Sequence, residues 1–151
     1  MKSTFISYGG PDEDFARKLY TALRNNNVNA FFFPASAALG ERIESEIYMR
    51  LQEHDRMILI CSRNSLDRKG VLNEIRETFA REARDGGVTY LLPVTLDDYV
   101  YTGWRMTQPQ LAEKVSRRVV GDFRRARHSK WEFDKAFARL LNALNSRRST
   151  L

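Results

Sequence analysis

The stretch RMILIC at Arg56–Cys61 constrains this chain more than any other, because five apolar residues follow one another with no polar position on either face. A strand of that kind sits in a sheet covered on both sides, and such sheets are parallel, with helices as crossovers. The rest of the chain supplies the alternation this demands. Residues 4–8 (TFISY) read as a first strand closed by Gly9, Gly10 and Pro11, with Asp12 placed to cap a helix running to about Asn26. Residues 28–33 form a second, Phe-rich strand ended by Pro34. A small-residue loop, 35–40, leads into a helix with Ile43, Ile47 and Leu51 on one face. After the third strand, Leu72, Ile75, Phe79 and Ala83 trace a helix that stops at Gly86 and Gly87, with Glu74 one position off that stripe. Residues 88–94 are a fourth strand and 119–123 a fifth. Between them lie a polar, aromatic connection over 97–107 and a short helix over 110–117. A last helix from Ser129 carries Phe133, Phe137, Leu140, Leu141 and Leu144.

Strand and helix thus alternate through one predicted domain, residues 1–151. Right-handed crossovers restrict it to an α/β, flavodoxin-like, doubly wound parallel sheet of five strands in the order 2-1-3-4-5. Ligands in such sheets bind beyond the carboxyl ends of the strands, where the order reverses between strands 1 and 3. That rule selects three loops: 9–12, 34–42 and 62–74.

Composition narrows the setting. One cysteine, Cys61, excludes an internal disulfide and fits a reducing, cytoplasmic compartment. The apolar runs are too short to span a bilayer, and the N-terminal residues lead into a strand rather than a signal peptide, so no membrane partner is expected. The net charge of +6 comes with arginine clusters at 117–118, 124–127 and 147–148. With no stacking platform beside them, these read as solvated helix ends rather than a nucleic-acid surface.

Most chemistries lack their residues. There is neither a P-loop nor a G-x-G-x-x-G turn. His54 and His128 stand apart without cysteine partners, which argues against a metal. Ser62 and Ser65 have no histidine base, and Cys61 reads as a small core residue. A response regulator would need acidic residues where Tyr8 and Cys61 stand. Gly9 and Gly10 could admit a ligand close to the backbone or could simply make a tight turn. Glu74 could be a solvated carboxylate near a helix start or a group aimed at the switch point.

Four segments together resemble the Toll/interleukin-1 receptor (TIR) domain family. FISYGGPDEDFARKL resembles its first box, and FFFPASAALGERIESEI its second strand, BB loop and following helix. MILICSRNSLDRKGVLNEI is similar to the third strand and the loop bearing the catalytic glutamate of NAD-cleaving members, and KWEFDKAFARLLNAL to the last helix. The resemblance covers nearly the whole chain and is closer to compact bacterial members than to receptor tails. It implies an NAD+ glycohydrolase or cyclase with Glu74 as the catalytic residue, NAD+ as substrate and no further cofactor, acting in bacterial anti-phage immune signalling. It places substrate contacts at Ser7, Tyr8, Gly9, Gly10, Phe33, Pro34, Arg42, Ile43, Ser62, Arg63, Leu66 and Gly70, with Phe5 a further candidate wall. Many members carry Trp four positions before the glutamate, where this chain has Gly70. The family also implies self-association through the BB loop, Pro34 to Arg42, and a sensor or effector partner. Its alternative role is a non-enzymatic adaptor assembling through that loop. On the enzymatic reading Glu74 is expected at a loop edge, outside the core.

Overall fold

The computed structural model describes residues 2–34 and 54–146. The predicted 35–40 loop, the helix with Ile43, Ile47 and Leu51, and Arg42 itself lie outside the described residues. So do Arg147 and Arg148.

Five parallel strands form one sheet in the order β2-β1-β3-β4-β5. They are β1 (Ser3–Ser7), β2 (Asn29–Phe32), β3 (Arg56–Cys61), β4 (Leu91–Thr95) and β5 (Gly121–Asp122). The register pairs Ser7 with Leu59 across β1 and β3, and Cys61 with Thr95 across β3 and β4. This is the order expected from the sequence, and its cause is β3, whose last five residues are all buried.

Alternation along the strands sends side chains into two cores. Ile6, Ala30, Ile58, Ile60 and Val94 pack under α1 (Glu13–Asn25) and the C-terminal helix. Phe5, Met57, Leu59, Cys61 and Leu91 pack on the other face, under α2 (Arg63–Leu66), α3 (Lys69–Arg84), α4 (Gly103–Thr107) and α5 (Pro109–Ser116). The C-terminal helix is α6 (Lys130–Asn145). Ser129 caps it by accepting from the Glu132 N–H at 3.2 Å, and Phe133, Phe137, Leu140 and Leu144 are its buried stripe.

Four local expectations are corrected. β4 begins at Leu91 rather than at residue 88, because the Tyr90 and Leu91 N–H groups donate to Glu82 Oε2 at 2.9 and 3.0 Å. β5 pairs over two residues only, although Val120 and Phe123 extend its bonding to the Pro93 and Thr95 carbonyls. The polar, aromatic 97–107 connection, to which the sequence assigns no helix, contains a 3-10 turn, Tyr99–Tyr101, and α4, closed around the fully buried Trp104. Asp12 makes no capping bond to α1, and its side chain turns instead toward the loop after β3.

The largest correction concerns α3. Its buried positions are Val71, Glu74, Ile75, Thr78, Phe79 and Glu82, a continuous helical stripe in which three members are polar. Ala83, assigned to the stripe from sequence, is exposed, and Glu74 lies on the stripe rather than beside it. No described helix is long and apolar enough to cross a membrane.

Candidate functional site

Phe5 and Ser7 point to the same side of β1, the side covered by α3. Ser7 is the last residue of the strand and is 1% exposed. Its Oγ donates to Glu74 Oε1, a buried hydrogen bond that joins the carboxyl end of β1 to the second turn of α3. Glu74 is 7% exposed, so the expectation of a carboxylate at a loop edge is wrong. Helical spacing from Val71 and to Thr78 turns it inward over β1, and the Thr78 hydroxyl donates to its backbone carbonyl at 2.7 Å.

Burial raises the Glu74 pKa to about 7, and the Ser7 hydroxyl, which favours the charged form, works against that rise. Ser7 is its one side-chain hydrogen-bond partner among the described residues. A carboxylate held out of water with so little compensation is costly to the fold, a common signature of a functional group.

Around this pair the loops after β1 and β3 are clamped together. Asp12, buried, accepts hydrogen bonds from the Ser62 hydroxyl, the Ser65 hydroxyl at 2.6 Å and the Asn64 amide at 3.4 Å. Ser62 Oγ caps α2 by accepting from the Ser65 N–H at 3.0 Å, and Ser65 Oγ accepts from the Gly9 N–H at 2.8 Å. A Cβ on Gly9 would stand 2.3 Å from the Asn64 carbonyl oxygen, so glycine is required there for the two loops to touch. The close approach seen at Gly9 is to protein, the backbone of the loop after β3. Gly10 is exposed in the 3-10 turn that follows.

The other predicted contacts fall in different places. Leu66 is wholly buried in the α3-side core and Phe5 is 2% exposed in the same core, so both are packing residues. The Tyr8 hydroxyl donates to the Phe33 carbonyl at 2.6 Å, and Tyr8, Phe33 and Pro34 are half-buried. Arg63 is exposed, its N–H on Asp97 at 3.0 Å and its guanidinium 5.2 Å from the centre of the Tyr99 ring. Gly70 opens α3, exposed, and a side chain there would meet nothing within 4 Å. Arg42 and Ile43 lie outside the described residues. The structure thus brings together Ser7, Gly9, Ser62 and Glu74, and adds Asp12 and Ser65, which the sequence reading did not place there. Serines at 62 and 65 facing an aspartate would have been the signal, but the partners are some fifty positions apart in the chain.

Two further features complete the electrostatics. Arg118 pairs with Glu82, and Arg124 with Asp98 at 2.5 Å and Asp122 at 2.9 Å, which pulls the Asp122 carboxyl down to about 2. These predicted arginine clusters are therefore partly consumed by internal pairs. A cleft of about 630 Å³ between α1 and α6, lined by Arg17, Lys18, Lys130 and Phe133 among others, lies on the opposite face from α3 and holds none of the predicted site residues.

The family model described as TIR domain matches residues 4–141. No curated protein matches the chain. Among solved structures, the fold is similar to the TIR domains in the structure of the activated Roq1 resistosome directly recognising the pathogen effector XopQ. That match has a TM-score of 0.69 and 17% identity, and covers 95% of this chain and 99% of the other.

Proposed function

The chain belongs to the TIR domain family, and from that premise we propose that it cleaves the bond between nicotinamide and ribose in NAD+, with Glu74 as its catalytic residue. The observation that carries the reading is the Glu74 carboxylate, buried beside the last residue of β1 at the switch point of the sheet and held by one hydroxyl. The chemistry asks for little more. Nicotinamide leaves the cationic substrate as a neutral base with the bonding pair, so no general acid is needed. The ribose C1′ left behind carries developing positive charge, which a fixed carboxylate in a low-dielectric site stabilises. Water then adds to C1′ and a proton is released, giving ADP-ribose; capture by the adenine of the same molecule gives a cyclic isomer and likewise releases a proton. A cation arriving beside Glu74 also draws its carboxyl toward the ionised state.

Immune signalling, in bacteria against phage, is the setting proposed for this activity, with assembly of several copies through the BB loop, Pro34 to Arg42. The similarity to TIR domains found in a resistosome supports assembly. The adaptor reading has that same similarity in its favour and gives Glu74 no task.

The test is to incubate concentrated, folded protein with NAD+ beside Glu74→Ala, and to separate nicotinamide, ADP-ribose and cyclic products by chromatography. Nicotinamide release by the unaltered protein alone is the expected result. No release, even after enforced clustering, would leave the adaptor.

A further inference from the structure

Glu74 has two oxygens in unequal surroundings. Oε1 accepts from Ser7, while no described side chain hydrogen-bonds Oε2. Ser7 is itself placed with little freedom: it ends a strand bonded on both sides, paired through β3 at Leu59, and the following turn is locked by Gly9 on Ser65 and by Asp12 on Ser62. A short, buried side chain on a strand end is a firmer anchor than any loop residue could be.

We propose that Ser7 is a positioning residue for Glu74, fixing the carboxylate by Oε1 so that Oε2 is the oxygen a substrate meets. This rests on the NAD+ reading for its purpose, but the arrangement can be tested without it. Ser7 is also an expected substrate contact, and its hydroxyl donates to the Glu74 carboxylate. A hydroxyl donating to a carboxylate stabilises the ionised form, and here, among the described residues, it is the interaction that offsets the cost of burial. Titratable or charged groups on the packed and neighbouring segments are Arg56 and Cys61 on β3, Tyr8 and Asp12 after β1, Arg63, Asp67 and Arg68 at α2 and after it, and Lys69, Arg76, Glu77, Arg81, Glu82 and Arg84 on α3 itself. None of these adds to the causes that move Glu74, and the Cys61 thiol is itself pushed far up by burial.

The experiment is a carboxyl-carbon NMR titration of Glu74 in protein labelled at glutamate, without NAD+, in the unaltered chain, Ser7→Ala and Ser7→Thr, each checked for cooperative melting. The expected midpoint near pH 7 rises by about one pH unit in Ser7→Ala, the size of one hydrogen bond to a charged group. It stays in place in Ser7→Thr, which keeps the hydroxyl. Where NAD+ is cleaved, the pH profile of kcat/KM for Ser7→Ala moves to higher pH by the same amount. A Ser7→Ala protein that melts cooperatively with an unmoved midpoint overturns the proposal, whatever the NAD+ assay shows. Should Ser7→Thr fail to fold, Ser7→Ala alone decides. If the midpoint moves and no nicotinamide is released, the positioning role stands and the NAD+ reading falls.

Discussion

Two glutamates lie on the same face of α3, two turns apart, both buried, and the fold treats them in opposite ways. Glu82 is met by the Arg118 guanidinium through two hydrogen bonds of 2.7 Å and by the N–H groups of Tyr90 and Leu91. Its charge is neutralised and its lone pairs are occupied, so it acts as a staple joining α3, the start of β4 and the segment before β5. Glu74 has the same depth and, among the described residues, one hydroxyl. A buried carboxylate with a cation and two backbone N–H donors fastens a structure. One left nearly bare loads the fold with an unsolvated charge, and an incoming cation can relieve it. The difference sets a carboxylate fastened into the fold beside one that the proposed chemistry would use, on a single helix.

Breaking the staple should give the largest effect. Arg118→Ala leaves Glu82 buried without its cation and should cost about 3 kcal/mol of stability, since such pairs are worth roughly 3–5 kcal/mol when one partner is removed and Arg118 is partly exposed. Urea unfolding would measure it, and a loss under about 1 kcal/mol would mean that Glu82 is no staple.

The pH dependence sharpens the other side. The folded pKa of Glu74 is raised from 4.5 to about 7, so the folded state binds a proton that the unfolded state releases between those values. Its contribution to stability is therefore complete below about pH 4.5 and lost as pH rises through 7, at roughly 1.4 kcal/mol per unit and about 3 kcal/mol in all. Glu74→Gln should lack this component, so the difference between the unfolding curves of the two proteins grows from pH 4.5 to 7 and then levels. A constant difference across that window would show Glu74 to be ionised throughout.

A smaller effect is expected at the clamp. Asp12→Ala strips two buried hydroxyls of their shared acceptor and should cost about 2 kcal/mol. Because the clamp joins the loops after β1 and β3, the proposed cleavage of NAD+ should, in kcat/KM, fall more than stability alone explains. Equal melting temperatures for Asp12→Ala and the unaltered protein would remove the clamp from the account.

The strand order was legible because it rests on uninterrupted apolar strands and helices between them, features that local sequence displays directly. The α3 stripe was not. Counting apolar residues alone gave Leu72, Ile75, Phe79 and Ala83, while the true face includes Glu74, Thr78 and Glu82, whose burial depends on Ser7, Met57 and Arg118 far away in sequence. The same blindness misread Asp12 as a helix cap and began β4 too early. Polar side chains reveal their burial only through partners, and the partners come from the fold. Glu74 itself was legible as a candidate through family resemblance; its environment was not.

If Glu74 is kept for chemistry at the expense of stability, one paired measurement on Glu74→Gln at pH 8 shows both halves. Nicotinamide release should fall at least about a hundredfold, as when a transition-state partner is removed, while the protein becomes more stable by about 2 kcal/mol or more because a buried charge is gone. Undiminished release together with lowered stability would make Glu74 a structural residue like Glu82, and would contradict the account.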